Sequence, residues 1–317
     1  MMNNNFRAFI CGVKGKKLTK NEIFFLKKYK PWGIILFSRN ISTISQTQKL
    51  TSTIKKIFNN KNYPILIDEE GGRVSRLNKF IDNSIFSAKF FGELYKNDKN
   101  KFNIYFDVYV KQISYLLKLL GININTVPVL DIHRSISNII IGDRAYSKNP
   151  NIISNLGDIC IKKFHENKIS TVIKHIPGHG LAKVDSHKKL PIINKKFSYL
   201  QKNDFKAFKN KNSLMCMTGH LLFKKIDPNY CVTHSKKLIS IIRKEIRFNK
   251  LIITDDLSMK ALKNSLKSRV IMSFKAGCNI VLHCNGNINE MKIVAENSPK
   301  INSFIIKKTS QIMRIIS

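Results

Sequence analysis

Three of the chain's eight histidines, His175, His179 and His187, fall within the stretch IKHIPGHGLAKVDSH. Imidazole is the side chain whose ordinary pKa lets it exchange a proton near neutral pH. Its concentration among glycines and a proline points to proton chemistry or to metal binding. Three readings are open. The histidines could ligate zinc, as at the rims of barrel hydrolases, although no helical i, i+4 pair and no strand-end H-x-H occurs. They could simply hydrogen-bond the loop, which is the better account of His179 alone. Or Asp185 and His187 form a D-x-H pair. The carboxylate would then hold one ring nitrogen and raise its basicity, leaving the other free for general acid–base work. Such an acid needs a partner. Asp255, in ITDDLSM, ends an apolar run and could act as nucleophile or stabilise developing positive charge. Its neighbour Asp256 would cap or brace, because adjacent strand residues point to opposite sides.

A second group lies in IDEEGGRVSRL (67–77), where Asp68 ends an apolar run and Arg73 and Arg76 follow two glycines. Neither GxGxxG nor GxxxxGK[ST] is present, so the glycines do not read as a phosphate loop. An aspartate and an arginine aimed at one cavity suit hydrogen bonding to hydroxyls. In IGDRAY (141–146), Arg144 either binds an anionic or amide group or pairs with Asp143.

These residues need a scaffold. Short apolar runs, rich in β-branched residues, occur at 9–13, 33–37, 64–68, 125–132, 171–175, 214–220, 251–256 and 279–284. Between them, 45–58, 106–120 and 234–246 repeat apolar residues at three- and four-residue spacing, the mark of helices. Continuous apolar runs suit strands buried on both faces. Eight strand–helix units in a chain of 317 residues predict a single-domain (β/α)8 TIM barrel spanning 1–317, with an open doubly wound sheet as runner-up. Polar residues then end six of the strands: Asp68, Asp131, Lys174 with His175, His220, Asp255 with Asp256, and Asn285 after the last. In a barrel these share the rim where active sites form. The stretch from Pro177 to about Lys196 carries no helical pattern, and so long a loop is usually functional. Gly178 and Gly180 make a mobile lid plausible.

The formal charge of +36 could indicate nucleic acid or an anionic surface as partner. Its lysines are spread along the whole chain with no aromatic–basic platform, so it reads as a solvated surface that would favour an anionic substrate. The six cysteines form no CxxC pair and sit mostly in apolar runs, as free thiols do in a reducing compartment. The N-terminal apolar run is too short for a signal peptide, and none reaches the roughly 18 residues of a membrane span. The expectation is a cytoplasmic monomer with no nucleic-acid or membrane partner.

In combination, IDEEGGRVSRL, VPVLDI, IGDRAY, KHIPGHG followed by VDSH, and TDDLSM resemble the β-N-acetylhexosaminidases of glycoside hydrolase family 3. WGIILFSRNI (32–41) fits that family's second strand, and the likeness runs from about Phe9 to Asn285. The match is to the single-domain bacterial type that works in peptidoglycan recycling. The resemblance implies a (β/α)8 barrel with Asp255 as nucleophile, His187 as acid/base and Asp185 completing its dyad. Asp68, Arg76, Arg144, Lys174 and His175 match sugar-binding positions, and no metal or organic cofactor is implied. The implied substrate is N-acetylglucosaminyl-anhydro-N-acetylmuramic acid, with or without its peptide. Water or phosphate could be the acceptor, and a metal-dependent barrel hydrolase is the alternative reading. Three departures stand out: Glu69 where glutamine is commoner, Gly12 for aspartate and Ile176 for phenylalanine. Glu69 would add a charge near the site.

Overall fold

In the computed structural model, described over residues 2–135, 140–186 and 188–317, eight parallel strands close into a barrel. The strands are β1 Arg7–Gly12, β2 Pro31–Leu36, β3 Ile65–Ile67, β4 Ile124–Asn125, β5 Ser170–Ile176, β6 Met215–Thr218, β7 Leu251–Asp256 and β8 Ile280–His283. Each pairs with its neighbour in sequence, and β8 pairs with β1. Helices flank the barrel in the (β/α)8 pattern, so the expected TIM architecture is the one observed. The strands are buried along nearly their whole length, which is why they read as unbroken apolar runs.

Chemistry local to the chain places the helices. Thr19 forms a capping box with Glu22 at the start of helix Lys20–Tyr29, and Asp98 caps helix Lys99–Leu119 by accepting from the Lys101 amide. That cap starts the helix earlier than the apolar periodicity at 106–120 suggests. Its first turns leave Ile104 and Tyr105 exposed, which blurs the pattern. The other two expected helices are observed as Ile44–Ile57 and Lys236–Lys244.

The fourth strand differs most from expectation. The run 125–132 does not form one strand, because Pro128 carries no N–H for the ladder. The chain pairs with β5 again beyond it, with Lys174 N–H donating to the Pro128 carbonyl and Leu130 N–H to that of Lys174. A parallel pair of short strands, Ile192–Ile193 with Leu222–Phe223, also went unforeseen. It ties the far end of the long β5 loop to the loop after β6.

The six cysteines are free, five of them buried and Cys284 half-buried. Among the described residues no helix is long and apolar enough to cross a membrane.

One buried amide links the core to the rim. The Asn125 side chain accepts from the Glu69 N–H at 3.0 Å and donates to the Glu69 carbonyl at 2.8 Å. It thereby holds the chain as it leaves β3. We expect Asn125→Ala to lower stability by about 2–4 kcal/mol, since two backbone groups would be buried unpaired. The check is the denaturant midpoint.

Candidate active site

The C-terminal ends of the strands surround a cavity of about 210 Å³. Asp68, Arg76, Arg144, Lys174, His175, Asp185 and Asp255 all line it. Every described catalytic or sugar-binding candidate is therefore in one place. His187 lies outside the described residues. Its chain neighbours Asp185 and Ser186 both line the cavity.

The floor is a cluster of paired charges. Lys174, from the end of β5, is almost fully buried. Its ammonium lies 3.0 Å from Asp68, 2.8 Å from the Thr126 hydroxyl and 2.6 Å from Glu70. These contacts use all three of its protons. Glu70 also accepts a two-point bond from Arg144, at 2.8 and 2.9 Å. Burial pushes the Glu70 carboxyl up, but Arg144 and Lys174 outweigh it and hold the group well below the ordinary glutamate range. Asp68 is likewise pushed up by burial and pulled below its usual value by Lys174, Arg76 and the Thr126 hydroxyl. Arg76 approaches Asp68 at 3.8 Å. Both carboxylates are thus ionised at neutral pH, ready to accept hydrogen bonds from hydroxyls.

One wall is organised by Asp131, fully buried behind the rim. It accepts from the His175 ring Nδ1 at 2.7 Å and from the His179 backbone N–H at 2.6 Å. This fixes the His175 tautomer, leaving the second ring nitrogen to the cavity. His179 also borders the cavity, and its Nε2 lies 3.3 Å from the Ser186 hydroxyl. Burial, then the neighbouring His175, lowers the His179 pKa to about 4. It is therefore neutral and connects the strand end to the D-x-H segment. The Ser186 carbonyl accepts from the Ala261 amide, so this segment also touches the loop after β7. Among the described residues, no three histidine, cysteine or carboxylate side chains form a group able to hold a metal ion.

At the end of β7 both aspartates border the cavity, with different partners. Asp255 lines the cavity and accepts from the next amide at 2.8 Å. Asp256 accepts from the Ser258 hydroxyl and amide and from the Cys284 amide. It braces the turn and the adjoining strand.

Several expectations need correction. Arg73 does not point into the cavity: it pairs with Asp143 at 2.9 Å and joins two rim loops. Arg144 accordingly pairs with Glu70 and not with Asp143. His220 does not line the cavity; it donates or accepts at Thr233 and reaches the Asp256 carbonyl at 3.0 Å. Asn285 is exposed and organises the turn into the next helix through Asn287 and Glu290. Glu69 adds no charge to the cavity, because its side chain turns behind the rim. Glu70 is the residue that sequence reasoning missed. Its signal was available: Asp68 and Glu70 are two apart at a strand end and so face the same side.

The chain matches the family model described as Glycosyl hydrolase family 3 N terminal domain over residues 9–315. A beta-hexosaminidase of Nitrosomonas eutropha is 31% identical over 285 residues, covering 86% of this chain and 79% of that one. A beta-hexosaminidase of Idiomarina loihiensis is 29% identical over 295 residues, covering 90% and 86%. NagZ of Neisseria gonorrhoeae, solved in complex with N-trifluoroacetyl-D-glucosamine, superposes with a TM-score of 0.84 at 26% identity, covering 98% of this chain and 90% of that one.

The charge cluster makes two expectations measurable. Glu70→Gln should cost about 3–5 kcal/mol, because it leaves Arg144 and Lys174 undercompensated while buried. A chemical denaturation midpoint reads this. The wild type should also lose stability on acidification in two stages. His179 stays neutral in the fold down to about 4, so the unfolded chain gains protons first as pH falls below 6.5. Glu70 and Asp68, with depressed values, then withdraw their stabilisation as pH falls below the ordinary carboxylate range. Denaturation midpoints measured from pH 7 to pH 3 should therefore fall, the depressed histidines His165, His179 and His234 together outweighing Asp204, whose raised value of about 6 acts the other way.

Proposed function

Since this chain belongs to glycosyl hydrolase family 3 and is a glycoside hydrolase of the β-hexosaminidase type, we propose that it is a retaining enzyme. It removes terminal β-linked N-acetylglucosamine from peptidoglycan fragments, through a covalent glycosyl–enzyme. The observation that carries this reading is the meeting of Asp255 and Asp185 at one small cavity floored by ionised carboxylates and cations.

Asp255 attacks the anomeric carbon. The bond to the leaving oxygen breaks through an oxocarbenium-like transition state, and His187 gives that oxygen its proton. Asp185 orients the imidazole and stabilises it when protonated. In the second half, His187 takes a proton from water, which attacks the anomeric carbon and frees Asp255 with net retention. Most retaining glycosidases divide these roles between two carboxylates. An imidazole in the acid/base position has an ordinary pKa nearer neutrality, which suits it to both proton transfers.

Asp68 accepts from the sugar hydroxyls, and Arg76 and the unused N–H groups of Arg144 bind oxygens of the ring or the N-acetyl group. His175 offers its second nitrogen. Lys174, with its protons committed to Asp68, Thr126 and Glu70, contributes mainly by holding both carboxylates ionised. Residues 1–317 act as one catalytic domain. The muramyl carboxylate of a peptidoglycan fragment suits a chain of net charge +36.

With an aryl N-acetyl-β-glucosaminide, Asp255→Asn should lower kcat by at least roughly a thousandfold in a protein of unchanged stability. His187→Ala should slow substrates with poor leaving groups by about 10²–10⁴ and activated aryl glycosides much less. A slow fluorinated N-acetylglucosaminide should label Asp255. Inversion at the anomeric carbon, or labelling elsewhere, would remove this mechanism.

A further inference from the structure

Glu69 is the one member of the Asp68–Glu69–Glu70 run that the mechanism leaves without a role. It is only 1% exposed. Its side chain turns away from the cavity that Asp68 and Glu70 line and into the loop behind it. Its Oε2 accepts from the Arg76 amide at 2.6 Å, the Ser75 hydroxyl at 3.0 Å and the Leu77 amide at 3.1 Å. Its Oε1 accepts from the Asn83 amide group at 3.1 Å. The main chain of Glu69 is itself clamped by Asn125. One side chain thus ties the end of β3 to two separate points of the segment 70–87, which contains no helix and no strand.

The position of these anchors matters for the site. The shortest of the four bonds goes to Arg76, whose guanidinium lines the cavity and approaches Asp68. An irregular loop cannot by itself hold a side chain to the tolerance that binding a sugar hydroxyl requires. The backbone amides of Arg76 and Leu77 and the Ser75 hydroxyl converge on a single oxygen. That gives the loop a fixed point directly beneath the cavity-facing arginine.

We infer that Glu69 is a positioning residue for substrate recognition: its carboxylate fixes where Arg76 stands, through the loop backbone, without touching the sugar. This rests on the reading of Arg76 as a sugar-binding side chain. The chemistry also says which replacements preserve the role. A glutamine carbonyl oxygen can accept from the same three donors. Its amide would then face Asn83, whose Oδ1 has no hydrogen-bond partner in the present arrangement, so the Asn83 amide need only turn over. An alanine provides no acceptor at all.

The test is steady-state cleavage of an aryl N-acetyl-β-glucosaminide by the full-length chain. Glu69→Ala should raise KM by about tenfold or more and change kcat by less than about threefold, the pattern of lost ground-state and transition-state binding together. The inhibition constant of free N-acetylglucosamine should rise by a similar factor. Glu69→Gln should keep KM within about twofold of wild type. The double variant Ser75→Ala, Asn83→Ala leaves Glu69 in place but removes its two side-chain donors. It should raise KM by roughly three- to tenfold, and it decides the matter if Glu69→Ala does not fold. An unmoved KM in either variant, a loss confined to kcat, or equal damage from Gln and Ala would overturn the inference. Those results with Asp255-dependent turnover intact sink the Glu69 role alone. Wild-type protein that does not cleave the glycoside takes the catalytic reading down with it.

Discussion

The ammonium of Lys174, buried at the end of β5, is the interaction on which the site depends. A lone charge there would be prohibitively costly, so the fold must surround it with acceptors. It does so with Asp68 and Glu70 from one strand end and Thr126 from the next. Glu70 then requires a second cation, which Arg144 supplies from a separate rim loop. Three barrel strands and a loop are thereby tied together by electrostatics. Ionised acceptors remain at the cavity surface at neutral pH. The same network that satisfies a buried charge prepares a surface for a polyhydroxylated ligand.

Neighbouring residues at the strand ends share out the remaining work. In the run 68–70 the outer two carboxylates line the cavity and the middle one turns behind it. At 255–256 both aspartates border the cavity, and Asp256 also braces Ser258 and Cys284. Neighbours in sequence can therefore differ in role: Asp68 and Glu70 line the cavity, while Glu69 between them holds the loop backbone. A supporting layer of this kind continues through Asp131, which holds His175, and through His220, which meets the carbonyl of Asp256. Asn125 extends the layer to the barrel staves themselves.

The long loop after β5 is held at both ends. Near the strand, His179 meets the Ser186 hydroxyl; further on, Ile192–Ile193 pairs with Leu222–Phe223. Asp185 and Ser186 are thus held at the cavity edge. Because burial keeps His179 neutral, this contact adds no charge beside the paired ions of the floor.

The barrel was legible in the sequence because burial on both faces makes each strand an unbroken apolar run, and eight such runs alternating with helical periodicity leave few architectures. The strand-end polar residues were legible for the same reason: a charged group terminating an apolar run belongs at a rim. Pairing was not legible. Whether Arg144 meets Asp143 or Glu70, whether Arg73 faces the cavity, and where the Glu69 carboxylate goes all depend on distances between segments up to 74 residues apart in the chain. Local spacing carries no information about such distances. The fourth strand failed at Pro128 because the absence of one N–H outweighs the apolar pattern around it. Sequence alone determined which residues could ionise and which strand ends would bear them. The tertiary structure decided which charge neutralises which, since that choice belongs to whichever groups the closed barrel leaves without water.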